Sequence, residues 1–469
     1  MRVDVPTDIP PADAIGAVHL VGIGGAGLSA IARLMAQQGV RVSGSDAHDS
    51  AVLQALRAEG IDARVGHAAE QVADVDTVVV STAVRDDNPE VVEARRRGLR
   101  LWPRSAGLAS VMAGRRTIAV AGTHGKTTTT AMLTCALRGA GLDPSFAIGA
   151  EVATLGTNAA LGSGDLLVAE ADESDGAFLV YHPAVAVVTN VDADHLDVWG
   201  TEEAYAAAFD RFVGTVGELL VVNVDDPGSA ALAPVGRARG IDVVTVGLDP
   251  AGDPDLLVDD VDVRAGRTSF TGVARDGSRT PVVLAVTGAH YALDAALALA
   301  TGRRLGAAAD GLAVGLGSYR GARRRMEPVG SAGGVEVVDS YAHHPTEIRA
   351  DLAAARAVAD GRRLVVVFQP HLVSRTRRHG AEMGRELSAA DEVVVADLYL
   401  AREDPDPAVT AQLVVDAVDG PPARPGGPVT DLPAALAPTL RPGDLVLTLG
   451  AGDVTTVGPA LLALLAGRA

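Results

Sequence analysis

Short, almost wholly apolar runs alternate along this chain with longer stretches of mixed polarity. Residues 17–23 (Ala-Val-His-Leu-Val-Gly-Ile), 40–43 ending in Gly-Ser-Asp, and 76–82 read as strands buried on both faces, and 28–38 carries helical spacing. Strand, helix and strand at these intervals predict a parallel sheet with right-handed crossovers. The pattern stops near Gly114, and Arg115-Arg116 precede a new strand at 117–121. Further strands are predicted at 165–169, 184–189 and 218–223, and 249–285 alternates valine runs with Gly, Asp and Pro, as antiparallel structure inserted late in that domain does. The basic stretch Arg320-Gly-Ala-Arg-Arg-Arg325 marks the next boundary. Beyond it, strands are predicted at 334–339, 363–368, 392–396 and 445–449, with the proline-rich 420–428 as a loop. The chain divides into 1–114, 115–321 and 322–469, an α/β organisation without heptads or a solenoid period.

Two glycine-rich segments follow predicted strands and open predicted helices. Gly22-Ile-Gly-Gly-Ala-Gly27 fits G-x-G-x-x-G, and Asp46 closes the next strand. Backbone amides at Gly24, Gly25, Ala26 and Gly27 would meet a diphosphate at the helix start, with Asp46 on a ribose hydroxyl. UDP carries a diphosphate as NAD does, so the spacing leaves both open, along with a plain tight turn. The second segment, Gly122-Thr-His-Gly-Lys-Thr127, is a shortened phosphate loop with Ala121 where the longer pattern has its first glycine. Gly122, Thr123, His124, Gly125, Lys126, Thr127 and Thr128 would cradle the β- and γ-phosphates of a nucleotide, and the Thr127 hydroxyl would bind Mg²⁺. The bland alternative is a threonine-rich helix cap.

Composition sharpens that reading. Lys126 is the chain's single lysine among 40 basic residues. An ammonium is a compact point charge, not interchangeable with a guanidinium fork beside a polyphosphate. The formal charge of −19 argues against a nucleic-acid coat or an anionic membrane surface, but not against a small anionic ligand in a local positive site. One cysteine, Cys135, cannot form an internal disulfide and fits a packing role. The N-terminus has no signal-peptide pattern, and no stretch is long and apolar enough to span a bilayer, so a cytoplasmic protein is expected.

Several further segments occur in a fixed order: Glu170-Ala-Asp-Glu-Ser-Asp175, Thr189-Asn-Val-Asp-Ala-Asp-His-Leu-Asp197, Tyr341-Ala-His-His-Pro-Thr-Glu347, Phe368-Gln-Pro-His371, Ser374-Arg-Thr376 and Gly450-Ala-Gly-Asp453. With the two glycine loops, they make the chain resemble the Mur ligases over nearly its whole length. The resemblance implies three domains with mainly parallel sheets: a Rossmann-like domain for a UDP-sugar, a P-loop ATPase-like centre and a Rossmann-like C-terminal domain for an amino acid. It implies ATP-dependent ligation of L-alanine to the lactyl carboxylate of UDP-N-acetylmuramic acid through an acyl phosphate, by a monomer or weak homodimer. By resemblance Thr127 and Glu170 serve one Mg²⁺ and His195 a second, and Arg324 of the Arg324-Arg325 pair contacts phosphate. Tyr341, His343, His371 and Arg375 would surround the amino acid, with Arg375 on its carboxylate. Sister enzymes place a carbamylated lysine at the second metal, which a chain whose one lysine serves ATP cannot do.

The chain departs from the family pattern at three places. Gly288-Ala-His-Tyr-Ala-Leu-Asp294 lacks both amides of the usual Gly-x-His-Asn-x-x-Asn, Asp339-Ser-Tyr341 lacks one carboxylate, and Leu372 replaces an arginine. The alternatives are ligation of a murein tripeptide, which Phe368-Gln-Pro-His371 disfavours, an NAD-dependent oxidoreductase built on the first glycine loop, a zinc site at His343-His344, and a non-catalytic nucleotide-binding regulator.

Overall fold

The computed structural model describes residues 3–6, 8–174, 176–401 and 403–467, so Asp175 of the acidic segment lies outside the described residues. Three sheets account for its strands, and the chain is a three-domain α/β protein with mainly parallel sheets. The first comprises β1 (Val18–Val21), β2 (Val42–Asp46), β3 (Asp62–Val65), β4 (Thr77–Val80) and β5 (Arg100–Pro103), in the order β3-β2-β1-β4-β5 and parallel throughout. The second takes in β6 (Arg116–Ala121), β7 (Ser145–Val152), β8 (Thr157–Ala160), β9 (Leu166–Glu170), β10 (Val185–Val188), β11 (Leu219–Asn223), β12 (Asp242–Gly247), β13 (Leu256–Arg264), β14 (Arg267–Ala274) and β15 (Arg279–Leu284). Its order is β15-β14-β13-β12-β11-β10-β6-β9-β7-β8. The third comprises β16 (Glu327–Ala332), β17 (Val335–Ser340), β18 (Leu364–Phe368), β19 (Glu392–Ala396), β20 (Ala423–Gly427) and β21 (Leu445–Leu449), in the order β16-β17-β21-β18-β19-β20.

The apolar runs that announced these strands are their buried centres: β1, β4, β10, β11, β18 and β21 are buried at every position. Differences from the sequence reading fall where that signal is weak. β2 runs to Asp46 instead of ending at 43, because Gly44 and Ser45 pair with both neighbours. The expected loop 420–428 contains β20, parallel to β19; its Pro425 needs no ladder partner on the outer side of an edge strand. The three strands of 256–284 are joined by turns short enough only for antiparallel neighbours.

Contacts divide the chain into two compact units: Met1–Asp259, Thr271–Val282 and Leu293–Tyr319; and Asp260–Phe270, Val283–Ala292 and Arg320–Ala469. Within the first, the helix Ala26–Gln37 shares one core with the ten-stranded sheet. Asn158 of β8 donates to Ala26 O at 2.8 Å and to Ser29 Oγ at 3.1 Å, tying the helix behind the first glycine loop to the sheet that carries the second. No helix among the described residues is long and apolar enough to cross a membrane.

The helix behind the phosphate loop, Lys126–Gly139, packs backbone to backbone on Ala309–Ser318: a Cβ on Gly315 would stand 2.2 Å from Cys135 O. Gly315→Ala should therefore force these helices apart and cost about 2 kcal/mol, read as a lower urea midpoint with unchanged slope. A midpoint equal to wild type would show that the crossing yields freely.

Candidate functional site

The first glycine loop is closed from below. Gly22 takes a φ of 87°, and the Gly22 and Ile23 amides donate to Ser45 O, which turns the chain into the helix capped by Gly25. Gly24 N–H donates to Asp46 Oδ2 at 2.9 Å, and a Cβ there would press on that carboxylate and on Leu53. The structure thus brings Gly24, Gly25, Ala26, Gly27 and Asp46 together. It adds a cation that no local sequence pattern marks. Arg104, which follows Pro103 at the end of β5, lies across Gly27, where an added Cβ would stand 3.0 Å from its Nη1, and its Nη2 reaches Asp172 Oδ2 at 2.7 Å.

The phosphate loop runs between β6 and the helix Lys126–Gly139. Gly122 has φ 134° and a Cβ on it would collide with Thr189 Oγ1 at 2.0 Å, while Gly125 caps the helix at φ 80°. The β10 end holds the loop in shape: Asn190 Oδ1 accepts from His124 N at 2.8 Å, and Thr189 Oγ1 donates to His124 O at 2.6 Å. Thr123 Oγ1 donates to Asp192 O at 2.8 Å and lies 2.7 Å from the Tyr205 hydroxyl. Thr129 in the helix donates to Asp294, the acid that stands where the family has an amide. That carboxylate lies against Gly125, so Asp294 supports the loop from beneath. Tyr291, the other changed position, is buried, and its hydroxyl donates to Arg325 O at 3.4 Å.

Lys126 donates to the carbonyls of Gly122 at 2.7 Å and Thr123 at 2.9 Å and pairs with Glu173 Oε2 at 2.7 Å. Thr127 Oγ1 donates to Glu170 Oε1 at 3.0 Å, whose other oxygen accepts from Gly149 N at 2.7 Å. His195, at a left-handed φ of 53°, places Nε2 3.7 Å from Glu173 Oε1 and 3.6 Å from Asp194 Oδ2. The predicted pair Thr127 and Glu170 is therefore in direct contact, whereas His195 joins the group through Glu173. Glu173, within Glu170-Ala-Asp-Glu-Ser-Asp175, is an addition to the residues expected from sequence. The available signal was its position three residues after Glu170 in an acidic run leaving a buried strand.

Two neighbouring carboxyls here, Glu173 and Asp172, are shifted in opposite directions. Burial pushes the Glu173 carboxyl up to about 7; Lys126 offsets this only in part, and the Asp172 charge adds to it. Burial works the same way on Asp172, but Arg104 and Lys126 hold it far below the carboxylate range. Lys126 sits above its ordinary value because Glu173, Asp172 and Glu170 outweigh its own burial. A hydroxyl, crowded carboxylates and a deficit of positive charge form a donor set that suits a hard divalent cation.

In the second unit a separate group forms at the C-terminal ends of β17 and β18. Rings of Tyr341 and His343 meet edge to face at 5.3 Å, His343 and His371 lie 5.9 Å apart, and His371 stacks on Tyr399 at 5.6 Å. Arg375 Nη1 donates to His371 Nδ1 at 3.1 Å, which fixes Nδ1 as acceptor and the proton on Nε2. Leu372, at the position of the missing arginine, takes φ 69°, and its N–H donates to Tyr399 O, setting the turn that carries His371. His344 is the cap of the helix Pro345–Ala359 in a reciprocal box with Glu347, which gives its Nδ1 a structural use. Arg324 bonds Asp339 Oδ2 at 3.2 Å and Gly450 O at 2.5 Å, and both Arg324 and Arg325 lie 5.0 Å from the Tyr341 ring centre. All the residues expected around the amino acid thus lie together.

Comparison with known proteins accounts for this arrangement. The chain matches the Mur ligase family catalytic domain over residues 17–116, the Mur ligase middle domain over 120–302 and the Mur ligase glutamate ligase domain over 324–452. It is 60% identical to the UDP-N-acetylmuramate–L-alanine ligase of Nocardioides across 100% of both chains, and 54% identical to that of Kineococcus radiotolerans across 97% of each. Among solved structures, the UDP-N-acetylmuramate–alanine ligase of Thermotoga maritima superposes with a TM-score of 0.83 at 27% identity, over 97% of this chain and 100% of that one.

Native Glu173 keeps its proton up to about pH 7, whereas the unfolded chain releases it near 4.5. The native state therefore binds more protons between those values, so this residue's contribution falls as pH rises through the window, by about 3 kcal/mol at most. Urea midpoints at pH 5 and pH 8 should show Glu173→Gln gaining stability relative to wild type at the higher pH. An equal difference at both would show that Glu173 ionises as freely as in the unfolded chain.

Proposed function

The chain belongs to the Mur ligase family, and within it we propose that this protein joins L-alanine to the lactyl carboxylate of UDP-N-acetylmuramic acid, with cleavage of ATP, to make a peptidoglycan precursor. The observation that carries this reading is the convergence of Lys126, Thr127, Glu170 and Glu173 on one phosphate loop in a chain alike over its full length to ligases of that name. The oxidoreductase alternative leaves those four residues without a task.

The chemistry follows from their placement. A lactyl carboxylate oxygen attacks the γ-phosphorus of ATP; the new P–O bond forms as the bond to ADP breaks, giving an acyl phosphate. The amine of alanine, having lost a proton, attacks the acyl carbon, and inorganic phosphate leaves with the C–O electron pair. Attack of one anion on another needs positive charge fixed in advance. Loop amides and Lys126 supply it on the nucleotide, and Lys126 leaves Glu173 for the phosphates. Thr127 and Glu170 would hold one Mg²⁺ and His195 a second, and these ions screen the phosphate charge when bound. Arg375 holds the alanine carboxylate, with its guanidinium aimed by His371. Arg324 serves phosphate from its seat between Asp339 and Gly450, and Tyr341 and His343 wall the amino-acid site. We retain the domain division 1–114, 115–321 and 322–469, with the enzyme a cytoplasmic monomer or weak dimer whose Cys135 is buried and reduced.

Phosphate release should require the nucleotide sugar, ATP and L-alanine together, and exceed release with glycine, L-serine or murein tripeptide. No release with any amino acid would sink the ligase reading; preference for the tripeptide would move it to the recycling reaction. Lys126→Ala should abolish turnover, a loss of about 10³-fold or more, while calorimetric binding of the UDP-sugar stays within a factor of two or so. Loss of both together would mean that the two glycine loops do not serve separate ligands.

A further inference from the structure

Beneath the first sheet lies a group of polar side chains that the ligase chemistry does not use. Glu90, fully buried, accepts from Ser45 Oγ at 2.6 Å and from Ala68 N at 3.3 Å, and lies 3.1 Å from His67 Nδ1 and 3.6 Å from His19 Nε2. Ser45 Oγ also stands 2.9 Å from His67 Nδ1, and His19 Nδ1 meets Ser43 Oγ at 2.9 Å. Burial alone would raise the Glu90 carboxyl, but His19, Ser45 and the Ala68 amide together hold it below its ordinary value. A buried carboxylate with this many donors is expensive to build, and what it fixes is the orientation of one ring that reaches the surface: the His67 side chain is 21% exposed.

The bonds decide the tautomer. Both partners of His67 Nδ1 act as acceptors toward it, since Glu90 is an anion and the Ser45 hydroxyl proton is already given to Glu90. In the neutral ring Nδ1 therefore carries the proton and Nε2 presents a lone pair, for which the described residues offer no partner. The placement is equally specific. Asp46 is paired with Val65 across the sheet, and Gly66 N–H donates to Asp46 O at 2.7 Å, so His67 stands on the loop next to the carboxylate expected on the ribose. Nucleotides in such sheets lie in the crevice outside the carboxyl ends of the strands, the edge at which His67 follows β3.

We infer that His67 is the residue that recognises the nucleobase, with Nε2 accepting the N3–H of uracil. This rests on the reading of the first glycine loop as the UDP site. Cytosine has an acceptor at N3, so two lone pairs would face each other and CDP would be rejected. A site that hydrogen-bonds one edge discriminates most strongly against the ligand that leaves its polar atom unpaired.

Calorimetric titration of the full chain with UDP, CDP and N3-methyl-UDP tests this. Wild type should prefer UDP to either analogue by about 10- to 100-fold. His67→Ala, shown to be folded by unchanged ATP binding, should bind UDP about tenfold more weakly and bring the three ligands to within about threefold of each other. Wild-type affinity for N3-methyl-UDP equal to that for UDP overturns the inference without any variant, as does a folded His67→Ala that keeps the wild-type preference. Failure of wild type to bind UDP at all would instead overturn the UDP reading of the loop.

Discussion

A buried ammonium shared among carboxylates is the constraint on which this structure turns. Lys126 sits 2.7 Å from Glu173, beneath a loop whose own carbonyls complete its coordination, with Asp172 and Glu170 close enough to raise its basicity. Removing any one charge from such a group leaves the others unbalanced in low dielectric, a far larger penalty than the net worth of the pair. Burial pushes the Glu173 carboxyl up to about 7, Lys126 offsets this only in part, and the Asp172 charge adds to it. In the proposed reaction a nucleotide triphosphate would compete for the same ammonium, and divalent cations would relieve the carboxylates it leaves behind.

Around that charge group the fold works as a set of rigid edges. The phosphate loop joins β6 to its helix, the acidic run leaves β9, and the β10 end clamps the loop through Thr189 and Asn190. Each contribution comes from the C-terminal end of a buried parallel strand, where backbone amides and side chains face the same crevice. Arg104 extends the group to the first glycine loop: one guanidinium lies over Gly27 and bonds Asp172, so the two glycine loops of the first unit share a cation.

Legibility of these features followed the range of the forces that make them. Buried parallel strands were visible because double-sided burial writes an unbroken apolar run, and both glycine loops were visible because φ angles of 87° and 134° and backbone crowding admit little else. Thr127, named from its glycine loop, and Glu170, named from resemblance, are in hydrogen-bond contact. Arg104, Glu173 and the His67–Glu90 network were not legible in that way. Each depends on residues more than twenty positions apart in the chain meeting in the fold, and an isolated arginine or histidine carries no local pattern. β20 was missed for a different reason: proline and glycine signal a loop, and only the pairing with β19 shows that an edge strand tolerates them.

The proposed mechanism requires that the phosphoryl group pass through the substrate carboxylate. UDP-N-acetylmuramic acid labelled with ¹⁸O in its lactyl carboxylate, turned over with ATP and L-alanine, gives phosphate that can be weighed by mass spectrometry. Transfer to the carboxylate followed by displacement by the amine puts one labelled oxygen into each phosphate released. Unlabelled phosphate, formed as fast as the amide, would contradict the account and require ATP hydrolysis to drive the ligation by another route.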